Sequence, residues 1–505
     1  MTSIINRTNV FLSNLDFNQF VERFKSWQIL AIILSIYYLG FIPGDNEENY
    51  LQLAKAFYDP EWIKNSFVFS ESSGARLLYQ YIVGFFLSYF SFETVTIFFR
   101  LILIIAYSLV LSKIYKKIKL NNLCIAAHLV FLFLDHQSLF GGAWMLVSIE
   151  AKGFAYLFAL LGLYNILNKR DYRAIVFLII ATYFHILVGF YMFAYLMLTL
   201  ISLDKLSIKN LKSIILKSLI YFVVIGPFVV YLLSATQVDP SLKPNSDWIY
   251  THYRNPHHTT LFKSLDYFLH NHLFGVSYAI IGLVILVYLK SHKKSNYELS
   301  FLYNFAIISL FITLLIVPIS YFDKSGTFLK YYPYRINTVS TFVLTLLITK
   351  SLYNAIKSNY LNKIYFFLIL VFCISLMPLL LSRINKSLNY LKLDEFDDVC
   401  YYIKDNIEKQ AVIFSPLEEY SMTRKMERDR FVLFKFVPAD LSKIHEWYNR
   451  VEAKKGAVKN IDSLEKLSKK YKINYLLTNE ESLGEYLNLI YKNKQYYLYK
   501  INNKI

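Results

Sequence analysis

Long apolar runs separated by short basic segments constrain this chain more than any other feature. The first run, Ser26 to Pro43, contains no Lys, Arg, Asp or Glu. Several later ones approach the roughly 20 residues that a helix needs to cross the hydrocarbon core. In lipid such a run must be helical, because its backbone N–H and C=O groups have no water to turn to. A chain of 505 residues that is 55% hydrophobic, with mean hydropathy +0.36, is too apolar for an ordinary soluble enzyme. Many of its 43 tyrosines stand near the ends of these runs, where an amphipathic ring favours the membrane interface.

The net charge of +18 does not indicate nucleic acid, because the Lys and Arg lie between apolar runs rather than on one amphipathic face. Cys124 and Cys373 fall in apolar runs and Cys400 in a predicted helix, so neither a disulfide framework nor a thiolate metal site is expected. The first 25 residues show no cleavable signal pattern, which makes the first span a retained anchor.

Charge orients the spans. Arg23 and Lys25 precede the first crossing, at about 27 to 44, and place its N-terminal end in the cytoplasm. Asp45, Glu47 and Glu48 then emerge outside, followed by a short amphipathic helix from Tyr50 to Tyr58. Leu77 to Phe92 is read as an interfacial helix within a long first external loop, 45–93, because a crossing there would put Lys113, Lys116, Lys117 and Lys119 outside. Crossings follow at Thr94–Tyr115, Cys124–Leu134 and Gly153–Leu167. Ala174 to Leu203 is an out-and-back pair with His185, taken as a core histidine, near its middle. Further crossings are Leu216–Ala235, Phe274–Leu289, Leu299–Phe322, 337–355 and 363–382, about eleven in all.

From residue 384 to 505 the pattern becomes soluble. One helical face runs through 394–409, and strands are expected at 411–416, 430–436, 474–478 and 495–500. Helices are expected at about 440–454, 461–471 and 481–490. The predicted architecture is therefore mostly α: a polytopic helical membrane region, 1–383, followed by a small extracytoplasmic α/β domain, 384–505. No phosphate loop, zinc spacing or nucleophile elbow is present, and this domain reads as a lid or docking module.

With this topology the unusual polar residues share the external face. They are the first-loop acids, Asp135-His136, Glu150 with Lys152, Arg254, His257-His258, Lys330 and Arg335. Arg and Lys are charge-assisted donors to phosphate oxygens, and a carboxylate can take a proton from an attacking hydroxyl. Adjacent His257 and His258 without a third ligand at helical spacing make a weak metal signal, and no metal ligand is assigned. Convergence on one face argues for a site that no single residue establishes.

The order of these features resembles the GT-C superfamily of integral-membrane glycosyltransferases. The resemblance rests on Asp45-Asn46-Glu47-Glu48-Asn49-Tyr50 followed by Leu51-Gln-Leu-Ala54, the surface helix at 77–92, Phe98-Phe99-Arg100-Leu101, and Asp135. It implies a polyprenyl-phosphate-linked sugar donor, a glycan, lipid or protein acceptor, and a site on the outer face of a bacterial cytoplasmic membrane. A first-loop acid, Asp45, Glu47 or Glu48, would be the base of an inverting transfer, with Asp135 orienting the acceptor or a divalent ion. His136, Glu150, Lys152, Arg254, His257, His258, Lys330 and Arg335 would bind substrate. The sequence identifies no required cofactor. Two other classes compete: a surface-polysaccharide polymerase or ligase of different fold, and a lipid-glycan transporter without chemistry.

Overall fold

The apolar runs become packed helices in a computed structural model of the chain, which describes residues 22–502 except 65, 70–75, 135–136, 147, 204–207, 236–240, 293–295, 356–366, 368–370, 372–373, 376, 379, 386, 389–393, 439, 460 and 482–483. In order they are α1 (Ser26–Tyr38), α2 (Asp45–Tyr58), α3 (Leu77–Tyr89), α4 (Phe92–Lys117), α5 (Asn122–Leu134), α6 (Ala151–Leu167), α7 (Asp171–Phe184), α8 (Ile186–Leu203), α9 (Ile208–Ala235), α10 (Leu273–His292), α11 (Tyr297–Ile316) and α12 (Asn337–Ala355). Six helical stretches, beginning at Phe92, Ile186, Asn210, Leu273, Tyr297 and Leu329, are long and apolar enough to cross a membrane. Each corresponds to an expected crossing. α1, α5 and α6 are shorter apolar helices, and 363–382 lies largely outside the described residues.

Local chemistry sets the helix ends that matter here. Ser91 caps α4 by accepting the Thr94 N–H at 3.2 Å, and Lys116 and Lys117 sit in its last turn, where cations suit the helix dipole. α2 starts earlier than the apolar pattern implied. Its first turn holds Asp45, Glu47 and Glu48, so the acids are helical rather than a loop preceding a helix. Negative charge is favoured at that end of the dipole. Glu47 also reaches back to accept the Gly44 N–H at 2.7 Å, a capping bond.

α3 lies directly on α2. A Cβ at Gly84 would stand 2.4 Å from the Ala54 carbonyl oxygen, so only glycine permits this approach. The run from Ala174 to Leu203 is split at His185 into α7 and α8, which fold against one another. Between α9 and α10 the chain makes short helical turns at Ser246–Trp248, Ile249–Arg254, Pro256–Thr259 and Leu265–Asn271.

The C-terminal region contains α13 (Glu395–Asn406), β1 (Val412–Phe414), α14 (Met422–Met426), β2 (Asp429–Arg430), α15 (Ile444–Lys459), α16 (Ile461–Tyr471), β3 (Tyr475–Thr478), β4 (Leu487–Lys492) and β5 (Tyr497–Ile501). The strands form one sheet in the order β2-β1-β3-β5-β4, with β1 parallel to β2 and β3, and β5 antiparallel to β3 and β4. Two expectations are corrected. The helix expected at 481–490 gives way from Leu487 onward to β4, held by pairing to β5. The strand expected at 430–436 ends at Arg430, because Leu433 and Phe436 leave the sheet to join Leu53, Ala56, Ile63, Val68 and Phe69 in a buried cluster.

That cluster ties the sheet region to the segment between α1 and α4. A second tie is Ile249, which is buried among Phe414, Phe431 and Trp447. Buried polar links reinforce both. Arg424 pairs with Glu48 at 2.8 Å and with Glu93 at 2.7 Å, and the Ser66 hydroxyl donates to Asp429 at 2.6 Å.

Candidate active site

Two cavities open beside the start of α2. The larger, about 1040 Å³, is walled by α2, by the α7–α8 turn, by the end of α9, by the turns at 245–258, by 330–335 and by the C-terminal region. The smaller, about 480 Å³, lies between the loop at 38–47, Arg100 of α4, and Arg383 and Ser387. Asn46, Trp144, Glu150 and Lys435 line both cavities and so mark where the two meet.

The larger cavity is cationic. Arg76, Lys152, Arg254, Lys330, Arg335 and Lys435 line it, against the carboxylates Glu150, Asp247 and Asp440. Lys152 pairs with Glu150 at 2.9 Å, and Lys330 pairs with Asp247 at 2.8 Å. Arg335 is different. It is 7% exposed, yet its guanidinium makes no ion pair or hydrogen bond among the described residues, and its Nε is buried without a partner. It rests only on the ring of Tyr332, 4.8 Å away. Tyr332 itself has φ +50°, a conformation that costs a non-glycine residue about 1–3 kcal/mol and that tends to persist at functional sites. Its carbonyl accepts the Arg335 N–H at 2.9 Å, so the strained turn aims the arginine.

Arg254 stacks over Phe434 at 5.0 Å and donates to the Lys435 carbonyl at 3.1 Å, while its Nε is also buried without a partner. His257 and His258 share the same wall. Burial first, then nearby cations (Arg254, Arg335 and Lys152 for His257, Arg335 and Lys152 for His258), holds both imidazoles below the ordinary histidine range and favours their neutral form. They offer hydrogen bonds without adding charge. His185 also lines this cavity, with Nδ1 buried and unpartnered. It is therefore a cavity residue at a helix turn, not the core histidine expected mid-span.

The three first-turn acids have separate surroundings. Glu47 is buried and saturated: its carboxylate accepts from Arg100 Nε at 3.2 Å, Arg100 Nη2, Ile149 N at 3.1 Å and Gly44 N at 2.7 Å. Glu48 is buried, lines neither cavity, and accepts from Arg424 and from Gln52 at 3.0 Å. Asp45 alone is exposed. It lines the smaller cavity, and its carboxylate has no hydrogen bond or ion pair among the described residues. Glu150 is buried in the wall, accepting from the Ser148 hydroxyl at 2.8 Å.

The fold thus gathers Asp45, Glu47, Glu150, Lys152, Arg254, His257, His258, Lys330 and Arg335 around two adjoining cavities and leaves Glu48 aside. Asp135 and His136 lie outside the described residues. Among the described residues no three His, Cys, Asp or Glu side chains group as a metal would need. Sequence reasoning did not single out Asn46, Asn49, Tyr50, Arg76 or Lys435 as cavity residues. Asn46, Asn49 and Tyr50 carried a signal, because they stand on α2 beside the acids. Lys435 carried only a faint one, a lysine flanked by Phe434 and Phe436 in what read as a strand.

Residues 394–454 match a family model described as "Domain of unknown function (DUF6798)". No curated protein matches the sequence. Among solved structures, the chain is similar to ArnT from Cupriavidus metallidurans, solved in the apo state and bound to undecaprenyl phosphate. In both cases identity is 12%, the alignment covers 94% of this chain and 97% of ArnT, and the TM-score is 0.49.

Proposed function

We infer that this polytopic membrane protein transfers a sugar from a polyprenyl-phosphate carrier to a hydroxyl-bearing acceptor at the outer face of the membrane. One observation carries the reading. A buried, unpaired guanidinium, Arg335, stands in a cationic cavity, and an unpaired carboxylate, Asp45, stands in another that shares four lining residues with it.

An unpaired buried cation is costly unless an anion arrives to neutralise it. A phosphate held by Arg335, with Arg254 and Lys152 beside it, meets that need through charge-assisted hydrogen bonds. The same cavity has an apolar side made by Ile186, Leu187, Val229, Leu232 and Leu233, from helices long and apolar enough to cross a membrane, which suits the first isoprene units of a lipid carrier.

The acceptor would enter the smaller cavity. Asp45 takes the proton from its hydroxyl as the oxygen bonds to the anomeric carbon. The bond from that carbon to the phosphate oxygen breaks, and the polyprenyl phosphate leaves with the electron pair. Donors fixed around the leaving phosphate stabilise its developing charge at little reorganisation cost. In-line attack from the side of the smaller cavity, with departure toward the larger where the two meet, predicts inversion at the anomeric carbon. Glu47 and Glu48 serve the geometry: Glu47 locks α2 to α4, and Glu48 docks the sheet region.

The test is the pool of lipid-linked sugars in the native host carrying Asp45→Asn in the chromosomal copy. One polyprenyl-phosphate sugar should accumulate while the variant reaches the membrane at normal levels. An unchanged pool and unchanged surface glycans, with normal protein levels, defeat the reading.

A further inference from the structure

The geometry points to Lys435, carried by the C-terminal sheet region, as a substrate-contacting cation that grips the donor phosphate where the two cavities meet; this rests on the transfer reading above. The region is then part of the active site and not only a lid.

Position supplies the first argument. Lys435 is one of four residues that line both cavities, with Asn46, Trp144 and Glu150, and it is the one cation among them. Glu150 is already paired to Lys152, whereas the Lys435 ammonium has no hydrogen bond or ion pair among the described residues. Its one contact of this kind is the Tyr420 ring, 4.4 Å from Nζ. A bond being broken between a sugar and a phosphate would lie at this junction, within reach of an ammonium attached there.

Rigidity supplies the second. A lysine on a free loop would extend its charge into water. This one is half-buried, and the backbone beneath it is fixed from both sides. Leu433 and Phe436 plug the cluster formed with the segment between α1 and α4, which turns Phe434 and Lys435 toward the cavities. Arg254 holds the Lys435 carbonyl, and Gln52 holds the Tyr420 carbonyl at 2.9 Å. The Arg424 pairs with Glu48 and Glu93 secure the preceding helix, α14. Burial, with Arg254 and Lys152 nearby, pulls the ammonium below the ordinary lysine range, while Asp45 and Glu150 oppose that pull. A cation kept in such surroundings without a partner is explained by an anionic ligand.

The experiment uses the full chain in lipid nanodiscs, with undecaprenyl phosphate as the probe and melting temperature as the control for docking. Lys435→Met should weaken probe binding roughly ten- to hundredfold, the range for losing a hydrogen bond to a charged group. Its melting temperature should be unchanged or higher, because a half-buried unpaired charge is removed. Lys435→Arg should restore binding to within a few fold. Probe affinity of the parent should also fall as alkali deprotonates the lysine, and Lys435→Arg should lack that alkaline limb. If the parent binds the probe and Lys435→Met binds it equally, with the same pH profile, the assignment is overturned and the transfer reading stands. If the parent does not bind the probe at all, both fall together.

Discussion

Asp45 and Glu47 stand two residues apart in one helical turn, yet replacing each should produce opposite phenotypes. Asp45→Asn removes a carboxylate that is exposed and unpartnered, so no internal hydrogen bond is lost. The remaining stability effect is the loss of a negative charge at a helix N-terminus, about 0.3–1 kcal/mol. Turnover should fall by a factor of roughly 10²–10⁴, or about 3–5 kcal/mol of activation free energy, which is what a positioned general base contributes. Glu47→Gln does the reverse. It leaves the buried Arg100 without its counter-charge and turns an amide N–H₂ toward at least one of the four donors that now converge on the carboxylate. Breaking a buried pair in this way costs about 3–5 kcal/mol. The assays are thermal melting of the purified protein and accumulation of the lipid-linked sugar in cells. A Glu47→Gln protein that melts like the parent but transfers no sugar, beside an Asp45→Asn protein of normal activity, would refute the assignment of the base.

Four further outcomes are expected. Arg335→Met should raise the melting temperature of the empty protein, since a buried unpaired charge is lost, while weakening undecaprenyl phosphate binding at least tenfold. Arg424→Met should destabilise the docked C-terminal region by about 3–5 kcal/mol, seen as faster proteolysis of residues 394–502, because Glu48 is left buried without its cation. Burial raises the Asp429 carboxyl to about 6 from an ordinary 3.8, so the folded chain binds the extra proton in that interval. Stability should therefore be fullest below pH 4 as far as this group is concerned and fall as pH rises toward 6, by on the order of 3 kcal/mol; Asp429→Asn, whose amide oxygen can still accept from Ser66, should flatten the slope. Gly84→Ala should lower the melting temperature and activity together, because its methyl group would press on the Ala54 carbonyl and push α2, with Asp45, out of place.

The helical framework was legible because its cause is one-dimensional. A run of apolar residues must close its own backbone hydrogen bonds, whatever lies beside it. The soluble helices at 394–409 and 461–471 were legible for the same local reason, an apolar face repeating at helical spacing. What failed was pairing at a distance. The stretch 481–490 reads as a helix until β5 supplies an antiparallel partner from Leu487 onward, and Leu433 and Phe436 can be read as strand residues until the first loop offers them a pocket. Neither partner is visible within the segment that it reshapes.

The three acids of the first loop show the same limit at the level of charge. Spacing alone gave Asp45, Glu47 and Glu48 equal standing, since each could face solvent from the start of a helix. Arg100, noted in the sequence only as part of Phe98-Phe99-Arg100-Leu101, is the counterpart: an arginine in an apolar stretch must find a carboxylate, and it pairs with Glu47. Arg424 stood in a region read as separate, and it takes Glu48. With Arg100 taken by Glu47 and Arg424 by Glu48, Asp45 is the first-turn acid left without an ion pair among the described residues, and Arg335 lines the adjoining cavity without one. On the proposed reading, the unpaired charges mark the working groups better than the acidic motif does. By the same reasoning Lys435, unpaired at the junction, belongs with Asp45 and Arg335 rather than with the surface lysines of the sheet.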